Sequence, residues 1–128
     1  MRSLSSLKKT KFILSKNNGL DMKLTEKKCV PCEGGIAPFT EKQANEYLSQ
    51  VKNWELDENH IEKTFKFEDF TEAMKFVNKV AEIAEKEDHH PDIKIRYNKV
   101  EIELWTHAIK GLSENDFILA AKIDEIKI

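Results

Sequence analysis

Seven consecutive residues, Glu85-Lys86-Glu87-Asp88-His89-His90-Pro91, concentrate groups that exchange protons near neutral pH. Two adjacent histidines directly follow an aspartate, and Glu85 lies four residues before the first of them. A third histidine, His107, comes after a strand-like pair of segments that can fold it back beside the first two. Paired histidines at a helix end are often no more than a polar terminus. With His107, Glu85 and Asp88 added, the set fits general acid and base catalysis, which depends on such clustering. Asp116 has two readings that stay open: Ser113-x-x-Asp116 matches a helix-capping pattern, and the same carboxylate is a candidate for the site. Trp54 is either a core residue or a ring-stacking platform, and His60, at a hairpin turn, is expected to be solvated.

These groups need a scaffold, and the hydrophobic periodicity predicts one. Thr40, with Gln43 three residues on, opens a helix carrying Ala44, Tyr47, Leu48 and Val51 on one face and ending near Lys52-Asn53. A short strand from Trp54, a turn at Glu58-Asn59 and a second strand from Ile61 to Phe67 follow. Asp69 caps the longest helix, whose apolar stripe reads as Phe70, Ala73, Met74, Val77, Val80, Ala81 and Ala84. Pro91 disfavours helical geometry at His90, which places both histidines at the helix exit. Ile93, Ile95 and Tyr97 then alternate with charged residues, and Asn98-Lys99 is the expected tight turn. Val100, Ile102 and Leu104 alternate with Glu101, Glu103, Trp105 and His107, so His107 is expected at a strand end on the face away from the core. Ser113 starts the final helix. The order α-β-β-α-β-β-α predicts an α+β fold: a four-stranded antiparallel sheet with three helices packed on one face.

A chain of 128 residues has room for one such domain, and 40% hydrophobic with 34% charged residues describes a globular protein that lives in water. No apolar run approaches the roughly 20 residues that cross a bilayer, so no membrane span is expected. The net charge of -2 hides an asymmetry: residues 1–21 hold five basic residues and one acid, the remainder 16 basic and 22 acidic. An acidic body argues against binding nucleic acid. Residues 1–21 read as a basic extension outside the fold, 22–39 as an irregular N-terminal segment and 40–128 as the folded domain. The cytoplasm is the expected location, or an organelle if 1–21 acts as a transit peptide. Cys29-Val30-Pro31-Cys32 lacks the second ligand pair of a closed zinc site and the strand–helix setting of a redox motif, and reads as plain N-terminal chain. Asp88-His89-His90 is similar to the Asp-His-His motif of manganese phosphoesterases, but no Asp-x-Asp stands upstream and adjacent histidines in an extended segment point apart. No metal site is expected.

The fuller spacing is more specific. Phe65 to Phe70, Glu85-Lys86-x-Asp88-His89-His90-Pro91, Tyr97-Asn98-Lys99-Val100, Thr106-His107 and Gly111-Leu112-Ser113, extending from about Thr40 to Ile126, together resemble the pterin-4a-carbinolamine dehydratases. The segment Cys29 to Gly35 looks like the lead-in of some members, and Trp105 stands where smaller residues are also usual. The resemblance implies dehydration of a 4a-hydroxytetrahydropterin, left by an aromatic amino acid hydroxylase, to the quinonoid dihydropterin, with no metal or redox cofactor. It implies that His89, His90 and His107 ring the pterin, with His89 and His107 moving protons and His90 holding substrate. Glu85 would orient or charge-couple a histidine; Asp88, Pro91, Thr106 and Ala108 would line the pocket, with Asp116 and Trp54 as further candidates for substrate contact. It also implies a homodimer or homotetramer. The alternative is a non-catalytic protein-interaction module, similar to a transcriptional coactivator, on the same fold.

Overall fold

The computed structural model describes residues 23–30 and 37–128. The basic extension 1–21, Pro31, Cys32 and the Gly34-Gly35 pair lie outside the described residues. The elements are α1 (Glu41–Leu48), β1 (Glu55–Asp57), β2 (His60–Lys66), α2 (Phe70–Glu87), β3 (Asp92–Arg96), β4 (Lys99–Leu104) and α3 (Glu114–Asp124). Short 3-10 turns occur at Leu24–Glu26 and His107–Ile109. The strands form one antiparallel sheet in the order β1-β2-β4-β3. Fold class and element order are those the sequence predicts.

Register decides which side chains meet the helices. Ile61 pairs with Leu104, and Val100 and Ile102 lie on the same face; all four are fully buried. Against them sits α3, buried nearly all round through Asn115 to Ala121 and Ile123, as expected of a helix enclosed on every side rather than of one lying on the surface. On α2 the buried line is Ala73, Phe76, Val80 and Ala84. The helical period is the expected one, but its centre is shifted: Phe70 is 49% exposed, Ala81 is exposed, and Phe76 takes the central place between the rings of Phe65 and Phe67, at 4.6 and 4.9 Å.

Several boundaries differ from expectation for local reasons. α1 stops at Leu48 because Gln50 and Val51 bond back three residues, to Tyr47 and Leu48, and Ser49 Oγ donates to the Glu46 carbonyl. The second hairpin turns at Tyr97-Asn98, with Tyr97 at φ 52°, and Lys99 belongs to β4. β4 ends at Leu104, so His107 opens a 3-10 turn instead of closing a strand. Within the segment read as irregular, Leu24 is buried in the core, and its 3-10 turn packs on α3.

The sheet face turned away from the helices is charged. Glu55, Glu62, Glu103 and Asp92 stand opposite one another in a row across all four strands. Like charges so placed repel, and His60 offsets this. Its Nε2 lies 3.0 Å from Glu62 Oε1, 3.1 Å from Glu103 Oε2 and 3.6 Å from Asp57 Oδ2. His60 is thus half-buried among carboxylates rather than solvated, because the register carries three acids to its side of the sheet.

If Leu24 is a true core residue, Leu24→Ala should lower unfolding stability by about 2–5 kcal/mol. Urea unfolding checks this; an unchanged midpoint would mean that the turn is only loosely attached.

Candidate active site

The site forms where the end of α2, the segment after β4 and the start of α3 meet. α2 ends at Asp88, which adopts the left-handed conformation (φ 53°, ψ 42°), and the His89 N–H bonds back to the Ala84 carbonyl at 3.2 Å. The stop is therefore at Asp88, before Pro91 can act. This turn separates the histidines: the His89 side chain is 11% exposed and that of His90 55%.

His89 points to Asp116, whose carboxylate is fully buried. Asp116 Oδ2 accepts from Thr106 Oγ1 at 2.8 Å and from the Ser113 N–H at 3.0 Å, and Thr106 Oγ1 is 2.9 Å from Ser113 Oγ. Asp116 Oδ1 lies 2.6 Å from His89 Nε2, within hydrogen-bond distance of the ring. His90 Nε2 meets Glu85 Oε2, also at 2.6 Å, but near the surface.

His107 is held by its loop. Thr106 and Gly111 exchange backbone hydrogen bonds of 2.8 and 3.3 Å, closing the short turn that carries His107 and Ala108. Gly111 is required there, since an added Cβ would lie 2.5 Å from Pro38 Cβ. The His107 ring packs on Trp105 with centroids 4.0 Å apart, and Trp105 Nε1 donates to Asp92 Oδ2 at 3.4 Å.

The three histidines line one cavity of about 530 Å³, together with Asp88, Pro91, Asp92, Trp105, Thr106, Ala108, Asn115 and Val30. That volume suits a small-molecule ligand. Another recess, of about 410 Å³ between Phe39, Ala44, Leu56 and Leu112, has no histidine on its walls.

Two sequence expectations, for Asp116 and Trp54, need correcting. Asp116 does not line the cavity; it lies beneath it, serving at once as helix-start acceptor and as the support of His89. Glu85, expected to orient or charge-couple a histidine, lies against His90. Trp54 is not in the site: it is buried in the core with Nε1 donating to Asp124 at 3.0 and 3.1 Å. Asp124 is eight residues beyond Asp116 on α3, roughly 12 Å along the axis, so Trp54 belongs to the opposite end of that helix. Sequence reasoning missed Val30, Asp92, Trp105 and Asn115 as wall residues. Asp92 and Trp105 could have been found from their nearness to the histidines; nothing in the sequence marks Val30 or Asn115.

The N-terminal segment fastens to the same corner. The Cys29 N–H donates to Glu87 Oε1 at 2.8 Å, and Lys122 Nζ donates to Glu87 Oε2 at 2.7 Å. Burial pushes Glu87 upward, but the hydrogen bonds from Lys122 and Cys29 outweigh it and hold the carboxyl below its usual range. Burial, reinforced by Glu87, pushes the Cys29 thiol up to about 12, so it stays protonated and is a poor nucleophile.

Fold and cavity together define the class: a small α+β domain presenting three imidazoles, each with a fixed neighbour, to a cavity for one small molecule. The family profile described as pterin 4 alpha carbinolamine dehydratase matches residues 37–126. A provisionally named pterin-4-alpha-carbinolamine dehydratase of Halorhodospira halophila is 53% identical over 107 residues, covering 82% of this chain and 98% of the relative. One of Rickettsia canadensis, named in the same way, is 50% identical over 103 residues, covering 79% and 94%. Among solved structures, a transcriptional coactivator/pterin dehydratase from Brucella melitensis superposes with a TM-score of 0.65 at 38% identity, covering 68% of this chain and 95% of that one. The chain belongs to the pterin 4 alpha carbinolamine dehydratase family. Among the described residues no helix is long and apolar enough to cross a membrane.

Two outcomes test the supports of the site. Asp116→Ala should cost about 3–5 kcal/mol in urea unfolding, since it strips a buried network of its shared acceptor. Glu87 supplies a pH test. Its folded form holds the proton less tightly than the unfolded chain, so its stabilisation is complete above the ordinary value of 4.5 and lost as pH falls through the lower folded value. Glu87→Gln should therefore be less stable than the parent at neutral pH, with the gap closing on acidification.

Proposed function

We propose that the cavity dehydrates a 4a-hydroxytetrahydropterin to the quinonoid dihydropterin by histidine acid and base catalysis. The observation that carries this reading is the lining of one cavity by His89, His90 and His107, with His89 held on a buried carboxylate. In the reaction the C4a–O bond breaks, the hydroxyl leaves as water after gaining a proton, and a ring nitrogen loses one. Nothing is oxidised or reduced. One imidazole must give a proton and another take one, and positioned imidazoles do both near neutral pH.

Asp116 fixes the tautomer and orientation of His89, much as the aspartate of a Ser-His-Asp triad holds its histidine. His107, exposed and braced on Trp105, faces the cavity from the segment after β4. We assign proton transfer to these two. His90, tied to Glu85, is assigned to holding substrate. Asp88, Pro91, Thr106 and Ala108 form walls around the ring. The product would serve pterin recycling for a hydroxylase. The protein-interaction reading accounts less well for a buried carboxylate spent on orienting a cavity histidine.

Stopped-flow absorbance of freshly generated 4a-hydroxytetrahydropterin is the direct test. Decay should be faster with the protein. The double variant His89→Ala, His107→Ala should lose about 100-fold or more of that acceleration while its circular dichroism is retained. An unchanged decay rate with the parent protein would defeat the reading.

A further inference from the structure

One wall of the cavity comes from outside the domain proper. Val30, 64% exposed, lines it beside the histidines. Its position is set by contacts to its backbone and to the residues before it. The buried Asn115 side chain clasps the Val30 main chain from both sides: the Val30 N–H donates to Oδ1 at 3.0 Å, and Nδ2 donates to the Val30 carbonyl at 2.6 Å. Cys29 Sγ donates to the Asn115 carbonyl at 3.5 Å, the Cys29 N–H is held by Glu87, and Lys27 Nζ lies 2.6 Å from Glu114 Oε2. Four consecutive residues, 27–30, thus form a strap across the end of α2 and the start of α3, and Leu24 anchors its beginning in the core.

An amide clasp of this kind uses both hydrogen-bonding ends of Asn115 on one peptide segment, which fixes that segment in position and orientation. The fixed object is an apolar side chain left facing a cavity. A large exposed aliphatic group has no packing duty to explain it, and a pocket for a flat, partly apolar ring needs apolar wall as well as polar groups. Asn115 precedes Asp116 in the chain, so adjacent residues of α3 hold Val30 and His89. We propose that the strap is a built part of the substrate site: Val30 contacts the bound pterin and sets its fit, and Asn115 is the positioning residue. The inference rests on the dehydratase reading, since the ligand it names is the pterin.

The test uses the full chain with Val30→Ala, Val30→Asp and Asn115→Ala, comparing steady-state dehydration with equilibrium binding of a stable, fluorescent oxidised pterin. Val30→Ala should raise KM and the pterin Kd together by about three- to tenfold, with kcat within about twofold. Val30→Asp should raise them further, and Asn115→Ala should move them in the same direction as Val30→Ala. Lowered thermal stability with unchanged KM and Kd would show a merely structural strap and overturn the proposal while the dehydratase reading stands. A parent protein that binds the pterin without turning it over leaves the binding arm to decide. A parent that neither turns over nor binds it removes both.

Discussion

A single buried carboxylate holds the site together. Asp116 meets the His89 ring after α2 and accepts hydrogen from Thr106 after β4 and from the backbone of Ser113 at the start of α3. A carboxyl group is rarely left in an interior without several partners, because desolvation outweighs any one contact. This one is tolerated because three partners converge on it in the first turn of a helix, where the helix field also favours negative charge. The same convergence makes the three segments depend on one another. Displacing any of them would leave a buried polar group without its partner.

At its other end α3 has a second acidic anchor of opposite character. Asp124 accepts from Trp54 and from the Lys52 backbone, and Lys63 lies 2.7 Å away. An acid in the last turn opposes the helix field, and the Lys63 cation, itself mostly buried, offsets that. The central helix is thus fixed lengthwise by polar contacts at both ends, while its apolar surface only excludes water. That division suits a helix buried nearly all round, since such a surface sets no unique axial position by itself.

How much of this was legible in the sequence follows from which signals are local. The α2 period, the alternation in β4 and the Asp69 cap are properties of adjacent residues, and they place the histidines at a helix exit as found. The phase of the α2 stripe was not legible, because it depends on Phe65 and Phe67 from another element. Asp116 was recognised twice over, as cap and as site residue. Its actual position beneath His89 reconciles the two readings, and only tertiary structure could supply it. His60 was misplaced and Trp54 left between two readings for a shared reason: each is positioned by partners remote in sequence, Glu103 for the first and Asp124 for the second. The strap was the least legible part, since a main-chain clasp leaves no imprint on residue type at Val30.

The left-handed residue at Asp88 has a consequence for what surrounds the two histidines that follow it. The left-handed region is one that aspartate enters more readily than most non-glycine residues, and here it turns two chemically identical neighbours into different devices. His89 is wired inward to a carboxylate sealed from solvent, and His90 outward to Glu85 in contact with bulk water. Two imidazoles on one cavity therefore have different surroundings one peptide bond apart, the first backed by the interior and the second open to solvent. The asymmetry belongs to the backbone rather than to the imidazoles, so exchanging other residues around the cavity would leave it in place.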